Sequence, residues 1–126
     1  MTNEHFEEIR EEFLEHESKI LDWKRGEYSS NDDRLQNFRE IATFLGQRPA
    51  EVALTYLMKH IQSIALAVRT GSYNWTWNTE GGEGLKQRFA DARNYLLLLA
   101  ACLEEESQKR ERAGGIWRNR RFHGKL

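Results

Sequence analysis

The stretch Pro49-Ala-Glu-Val-Ala-Leu-Thr-Tyr-Leu-Met-Lys-His-Ile-Gln-Ser-Ile-Ala-Leu-Ala-Val-Arg-Thr70 decides the fold. Its apolar residues Val52, Leu54, Leu57, Met58, Ile61, Ile64, Ala65 and Val68 return at helical spacing and fill nearly two faces of the helix they predict. Pro49 suits the first turn, where an N–H would have no intrahelical partner, and Gly71 supplies a stop. A helix that is apolar on nearly two sides predicts a central position with neighbours on both.

Three further helices follow from the same periodicity. The first runs from about Asn3 to Arg25, with Phe6, Ile9, Phe13, Ile20 and Leu21 on one side and Glu4, Glu7, Glu8, Glu11, Glu12 and Glu15 crowding the other. Asn3 reads as its N-cap and Gly26 as its stop. The second is expected from about Asp32 to Leu45, carrying Leu35, Phe38, Ile41, Ala42 and Leu45, and Gly46 is placed to close it in a left-handed conformation. The fourth is expected from about Glu83 to Arg112, through Leu85, Phe89, Ala92, Tyr95, Leu96, Leu99 and Leu103, before Gly114-Gly115. Between Gly71 and Gly84 lies a connection holding Tyr73, Trp75 and Trp77, longer than the roughly 2 to 8 residues that bundle connections need. Such a loop crosses the end of a bundle or covers something. The chain therefore reads as all-α, a four-helix bundle over residues 1–112 with a long loop between its third and fourth helices, followed by a basic C-terminal extension over residues 113–126.

Composition removes several classes. In 126 residues, 39% are hydrophobic and 31% charged, too apolar for a disordered chain. The longest apolar run, Tyr95 to Leu103, is far below the roughly 20 residues of a bilayer-spanning helix. The acidic start, Met1-Thr2-Asn3-Glu4-His5, precedes no apolar signal core, and the single Cys102 allows no internal disulfide, which fits a reducing cytoplasm. Cys102 lies in an apolar helical run, where a buried, inert thiol is expected.

Polar residues inside the apolar stripes are the candidates for chemistry. Lys59, His60 and Ser63 interrupt the third helix; Arg88, Asp91, Asn94 and Tyr95 sit close together on the fourth. If the two helices pack together, Lys59 and Asp91 form either an internal ion pair or an anion site in which Lys59 and His60 take phosphate oxygens and Asp91 holds a metal ion or a water. On the second helix, Asp32 and Asp33 read as N-cap residues or metal ligands. Asn37 has poor helix propensity and is better explained by a partner. His60 finds no second His or Cys at zinc-ligand spacing in these helices. Tyr73, Trp75 and Trp77 could stack on a nucleobase or plug the bundle's open end. Their glycine neighbours match no phosphate-loop pattern.

The net charge of −1 conceals a division. Ser107 to Leu126 holds Lys109, Arg110, Arg112, Arg118, Arg120, Arg121 and Lys125 against Glu111, or +6, which leaves −7 for the rest. With Trp117 and Phe122 interleaved, Arg118, Arg120 and Arg121 suit nucleic-acid phosphate or an acidic protein surface. The rival reading of the whole chain is accordingly a noncatalytic interaction module that docks a host protein or nucleic acid through this tail.

Four segments carry a resemblance: Glu27-Tyr28-Ser29, Asp33-Arg34-Leu35-Gln36-Asn37-Phe38, Lys59-His60-Ile61-Gln62-Ser63-Ile64 and Arg88-Phe-Ala-Asp91-Ala-Arg-Asn94-Tyr95-Leu96. They resemble small phage and prophage proteins with a DRLxNF, KHxxSI and RxxDxxNYL pattern, which look like remote relatives of the MazG-like all-α nucleotide pyrophosphatases. The resemblance implies a helical homo-oligomer in the cytoplasm of a phage-infected or lysogenic bacterial host. It also implies a site for a nucleotide or similar phosphate compound, with Mg²⁺ if it hydrolyses one. The matched polar residues are Asn37, Lys59, His60, Asp91 and Asn94, with Arg88 and Tyr95 beside them. In the enzyme version Asp91, with Glu83 or Asp33, positions the metal and activates water while Lys59 stabilises phosphate charge. The chain departs from the family's paired ExxE and ExxD carboxylates, since Lys59 and His60 stand where one pair is expected, residue 88 is Arg, and Asn94 replaces an acid.

Overall fold

The computed structural model describes residues 1–28 and 33–115. Its elements are α1 (Asn3–Tyr28), α2 (Gln36–Leu45), α3 (Pro49–Thr70), a two-residue hairpin of β1 (Asn78–Thr79) and β2 (Gly82–Glu83), and α4 (Leu85–Arg110), which ends in a π-helical turn (Glu111–Gly115). The all-α, four-helix reading holds. No described helix is long and apolar enough to cross a membrane.

The helix ends explain where the expected boundaries move. α2 begins at Gln36 rather than near Asp32, because Asp33 Oδ1 accepts the Leu35 N–H at 3.2 Å and holds a turn ahead of the helix. Asp33 thus serves as a local cap, and its carboxylate also binds Arg39. Gly46 closes α2 at φ 68°, sending its N–H to Thr43 while Gln47 bonds Ala42. Gly26 does not stop α1, which continues to Tyr28.

α3 and α4 run antiparallel and share the most extensive helix contact. At one end Arg48 reaches Glu106 at 3.0 Å; towards the other, Tyr95 stacks on Tyr56 and His60 with ring centroids 5.6 and 5.2 Å apart. α2 lies across the first end, where Leu35, Phe38 and Ala42 pack with Ala50, Val52, Ala53 and Cys102. Arg39 ties α2 to Glu105 of α4. α1 lies along the N-terminal half of α4 and touches it through side chains at Glu12, His16 and Glu17.

The long connection caps α4. Its carbonyls at Asn74, Thr76 and Trp77 accept the N–H groups of Leu85, Lys86 and Gly84 at 2.8, 3.1 and 2.7 Å, donors that a helix start would otherwise leave unbonded. This close approach requires a glycine at position 84, where an added Cβ would lie 2.0 Å from the Thr76 oxygen. The helix accordingly starts at Leu85, after Glu83 has been used in the hairpin.

One expectation is corrected here. α3 is apolar on nearly two faces, but only one is covered by the described residues. Leu54, Met58 and Ile61 are 46%, 46% and 39% exposed, and Val68 is 68% exposed.

Two outcomes follow. Gly84→Ala should destabilise the fold by about 1–3 kcal/mol in urea denaturation, because backbone rather than a yielding side chain opposes the methyl group. Cys102 is buried, and that burial, with Glu105 adding to it, pushes its thiol up to about 11. Alkylation by iodoacetamide at about pH 8 should therefore be slow in the native protein and fast in denaturant.

Candidate functional site

Between the C-terminal half of α3 and the start of α4 lies a cleft of about 550 Å³. α3 supplies Tyr56, Lys59, His60 and Ser63, with Gln62 and Leu66 at the rim. The hairpin and α4 supply Glu83, Arg88 and Asp91. Helical spacing accounts for the grouping: Tyr56, Lys59, Ser63 and Leu66 recur every three or four residues on one side of α3. On α4, Arg88 and Asp91 lie one turn apart, facing back across the helix pair.

The cleft thus gathers Lys59, His60, Arg88 and Asp91 from the sequence-derived candidates. Lys59 and Asp91 do not form an internal ion pair with each other among the described residues. Lys59 is exposed, while Asp91 is 4% exposed and its Oδ1 accepts the Gln87 amide N–H at 3.1 Å. Arg88 stands 3.7 Å from Glu83, at the loose edge of ion-pair distance. His60 stacks on Tyr95, so Tyr95 backs the histidine in the helix interface.

Other candidates lie elsewhere. Asn94 is buried on a different side of α4, and its amide donates to the Glu17 carbonyl of α1 at 3.2 Å. It is a fastener between helices. Asn37 is half-buried on α2 and Asp33 is held by Arg39; neither is among the described residues that line the cleft. Arg118, Arg120 and Arg121, with Trp117 and Phe122, lie outside the described residues. Among the described residues no three His, Cys, Asp or Glu side chains converge as a metal cage. Among the described residues, Asp91 and Glu83 are the two acids on the cleft wall.

Sequence reasoning missed the polar chain behind Asp91. His16 Nε2 lies 2.9 Å from Gln87 Oε1, and the other end of the Gln87 amide donates to Asp91. Since Asp91 accepts from the amide nitrogen, Gln87 presents its oxygen to His16, which must then carry its proton on Nε2. Trp77 stacks on the His16 ring at 3.7 Å and sends its indole N–H to Glu12 at 2.9 Å. Trp77 is therefore the plug that the loop reading allowed, also packed on Phe13. Trp75 packs by its edge on Phe89 yet stays 48% exposed. Gln87 carries no sequence signal of its own, because a glutamine in a helix is unremarkable until tertiary packing buries it.

Electrostatics in this second cluster are opposed. Glu12 is held below the ordinary glutamate range, chiefly by the hydrogen bond from Lys86 at 2.9 Å; the Trp77 N–H adds to this and partial burial pulls the other way. Glu17 is raised by burial, against the pull of Arg93, whose Nε is 2.8 Å away. A carboxylate with a lowered folded pKa stabilises above its ordinary range and loses that contribution as pH falls through the lowered value. Glu12→Gln should therefore lower the melting temperature at neutral pH, and its gap to the wild type should close on titration into acid.

No family model, no curated protein and no solved structure matches this chain.

Proposed function

We propose that the cleft between α3 and α4 binds a nucleotide or a related phosphate compound. One observation carries the reading: Lys59 and Arg88 approach the same recess from two helices, and Lys59 spends its charge on no described partner. Two cations at one concave site suit a phosphate group, which takes an ammonium as a point charge and a guanidinium as a planar fork. Tyr56 and His60 add flat apolar surface in the same wall, suited to a ring. Mg²⁺ enters this reading on the phosphates. It usually keeps several waters and takes one or two carboxylates alongside phosphate oxygens, and Asp91 and Glu83 can supply those two. Gln87 occupies Oδ1 of Asp91 and so steadies the carboxylate behind the cleft. The homo-oligomer that the resemblance implies is a separate proposal and does not depend on the cleft's ligand.

Calorimetric titration with a panel of nucleoside mono-, di- and triphosphates, with and without Mg²⁺, tests this. Lys59→Ala should weaken binding at least tenfold, and Asp91→Asn should abolish the Mg²⁺-dependent part while leaving the melting curve close to wild type. Equal binding by both variants and the wild type would remove the cleft as the site. Release of pyrophosphate or phosphate in the same mixtures would separate turnover from simple capture.

A further inference from the structure

We infer that a second copy of this chain covers the bare side of the α3–α4 pair, independently of what the cleft binds. The packed row of α3 is Ala53, Leu57, His60, Ile64 and Ala67; that of α4 includes Tyr95, Leu99 and Cys102. Residues one position earlier meet the other helices. Val52 and Tyr56 pack with α2, Gln87 and Asn94 bond α1, and Glu105 binds Arg39 of α2. Residues one position later are Leu54, Met58, Ile61, Ala65 and Val68 on α3, and Phe89, Arg93, Leu96, Ala100 and Leu103 on α4. A step of one residue turns the direction by about 100°. Because the helices are antiparallel, the same step turns both rows to the same side; at the start of the α4 row Trp75 packs on Phe89 and Glu17 of α1 holds Arg93, and the bare part of α4 runs from Leu96 to Leu103. On that side the leucines are about half exposed: 46% at Leu54, 53% at Leu96 and 48% at Leu103.

Spacing and charge identify the occupant. Leu54, Met58, Ile61, Ala65 and Val68 repeat at alternating steps of four and three, the seam by which one helix packs lengthwise on another. The outer edge of this seam is uncharged in its middle, at Thr55 and Gln62, with exposed Glu51, whose carboxylate also bonds Arg48 of its own chain, at one end and exposed Arg69 at the other. Two α3 helices laid antiparallel about Ile61 bring Glu51 of each to Arg69 of the other and set Met58 against the small Ala65. The surface is thus complementary to itself, as a two-fold interface must be. The 22 residues of α3 span about 33 Å; one helix width along it and about half that length of α4 give a footprint of roughly 500 Å², which counted on both partners reaches the roughly 1,000 Å² that a specific interface needs.

Sedimentation equilibrium from about 1 to 100 μM tests this. The full chain should be a dimer. Ile61→Glu and Leu96→Glu should each give a monomer with undiminished helical circular dichroism, since both positions are exposed in the single chain. Leu14→Glu, an exposed apolar position on α1, should leave the dimer intact. Arg69→Glu should weaken association several-fold at low salt, and less as salt screens the pair. A wild-type monomer over the whole range, or dimers that survive both Ile61→Glu and Leu96→Glu, would overturn the inference. An unchanged dimer in Arg69→Glu would overturn the antiparallel arrangement.

Discussion

The antiparallel contact of α3 with α4 is the constraint from which the rest of the molecule follows. Small residues, Ala53 on α3 and Ala92 on α4, are almost wholly buried, and the Tyr56–Tyr95–His60 stack fills the centre of the pair. This pair positions both faces that matter. One side receives α1 and α2, and the cleft opens between α3 and α4 themselves; another side carries apolar residues that the described residues leave exposed. Loss of the stack would separate the two walls of the cleft, since Lys59 and Arg88 reach it from different helices.

The polar interactions form two groups with different roles. Around the meeting of α2 with the end of α4, Arg39 and Arg48 bind Asp33, Glu105 and Glu106. These partly exposed pairs set register more than they add stability. At the other end, Glu12, His16, Trp77, Lys86 and Gln87 join α1, the long connection and α4 in one network that runs to Asp91. The His16–Gln87–Asp91 bonds steady the carboxylate, and the stack of Trp77 on His16 joins them to the bonds on Glu12, so the 71–84 connection touches the support behind the cleft.

The helices were legible in the sequence because amphipathic periodicity is a local property. The Pro49–Thr70 bounds of α3 emerge as expected, and the Gly46 stop of α2 follows from a backbone conformation that only glycine adopts cheaply. Gly26 was misleading for the same reason in reverse: a glycine permits an end without requiring one. The grouping of Lys59, His60, Arg88 and Asp91 was legible too, since polar residues on otherwise apolar stripes had to face each other if those stripes met.

Local pattern alone determined four helices and their approximate ends, because helix geometry converts spacing into direction. Tertiary structure alone decided which neighbour each face received. It sent Asn94 to the α1 backbone, set Gln87 behind Asp91, and folded the 74–77 carbonyls over the start of α4. Among the described residues it also left the second apolar face of α3 exposed. The physical reason is that periodicity tells a side chain to leave water but not what to meet, and that choice belongs to the packing of whole helices.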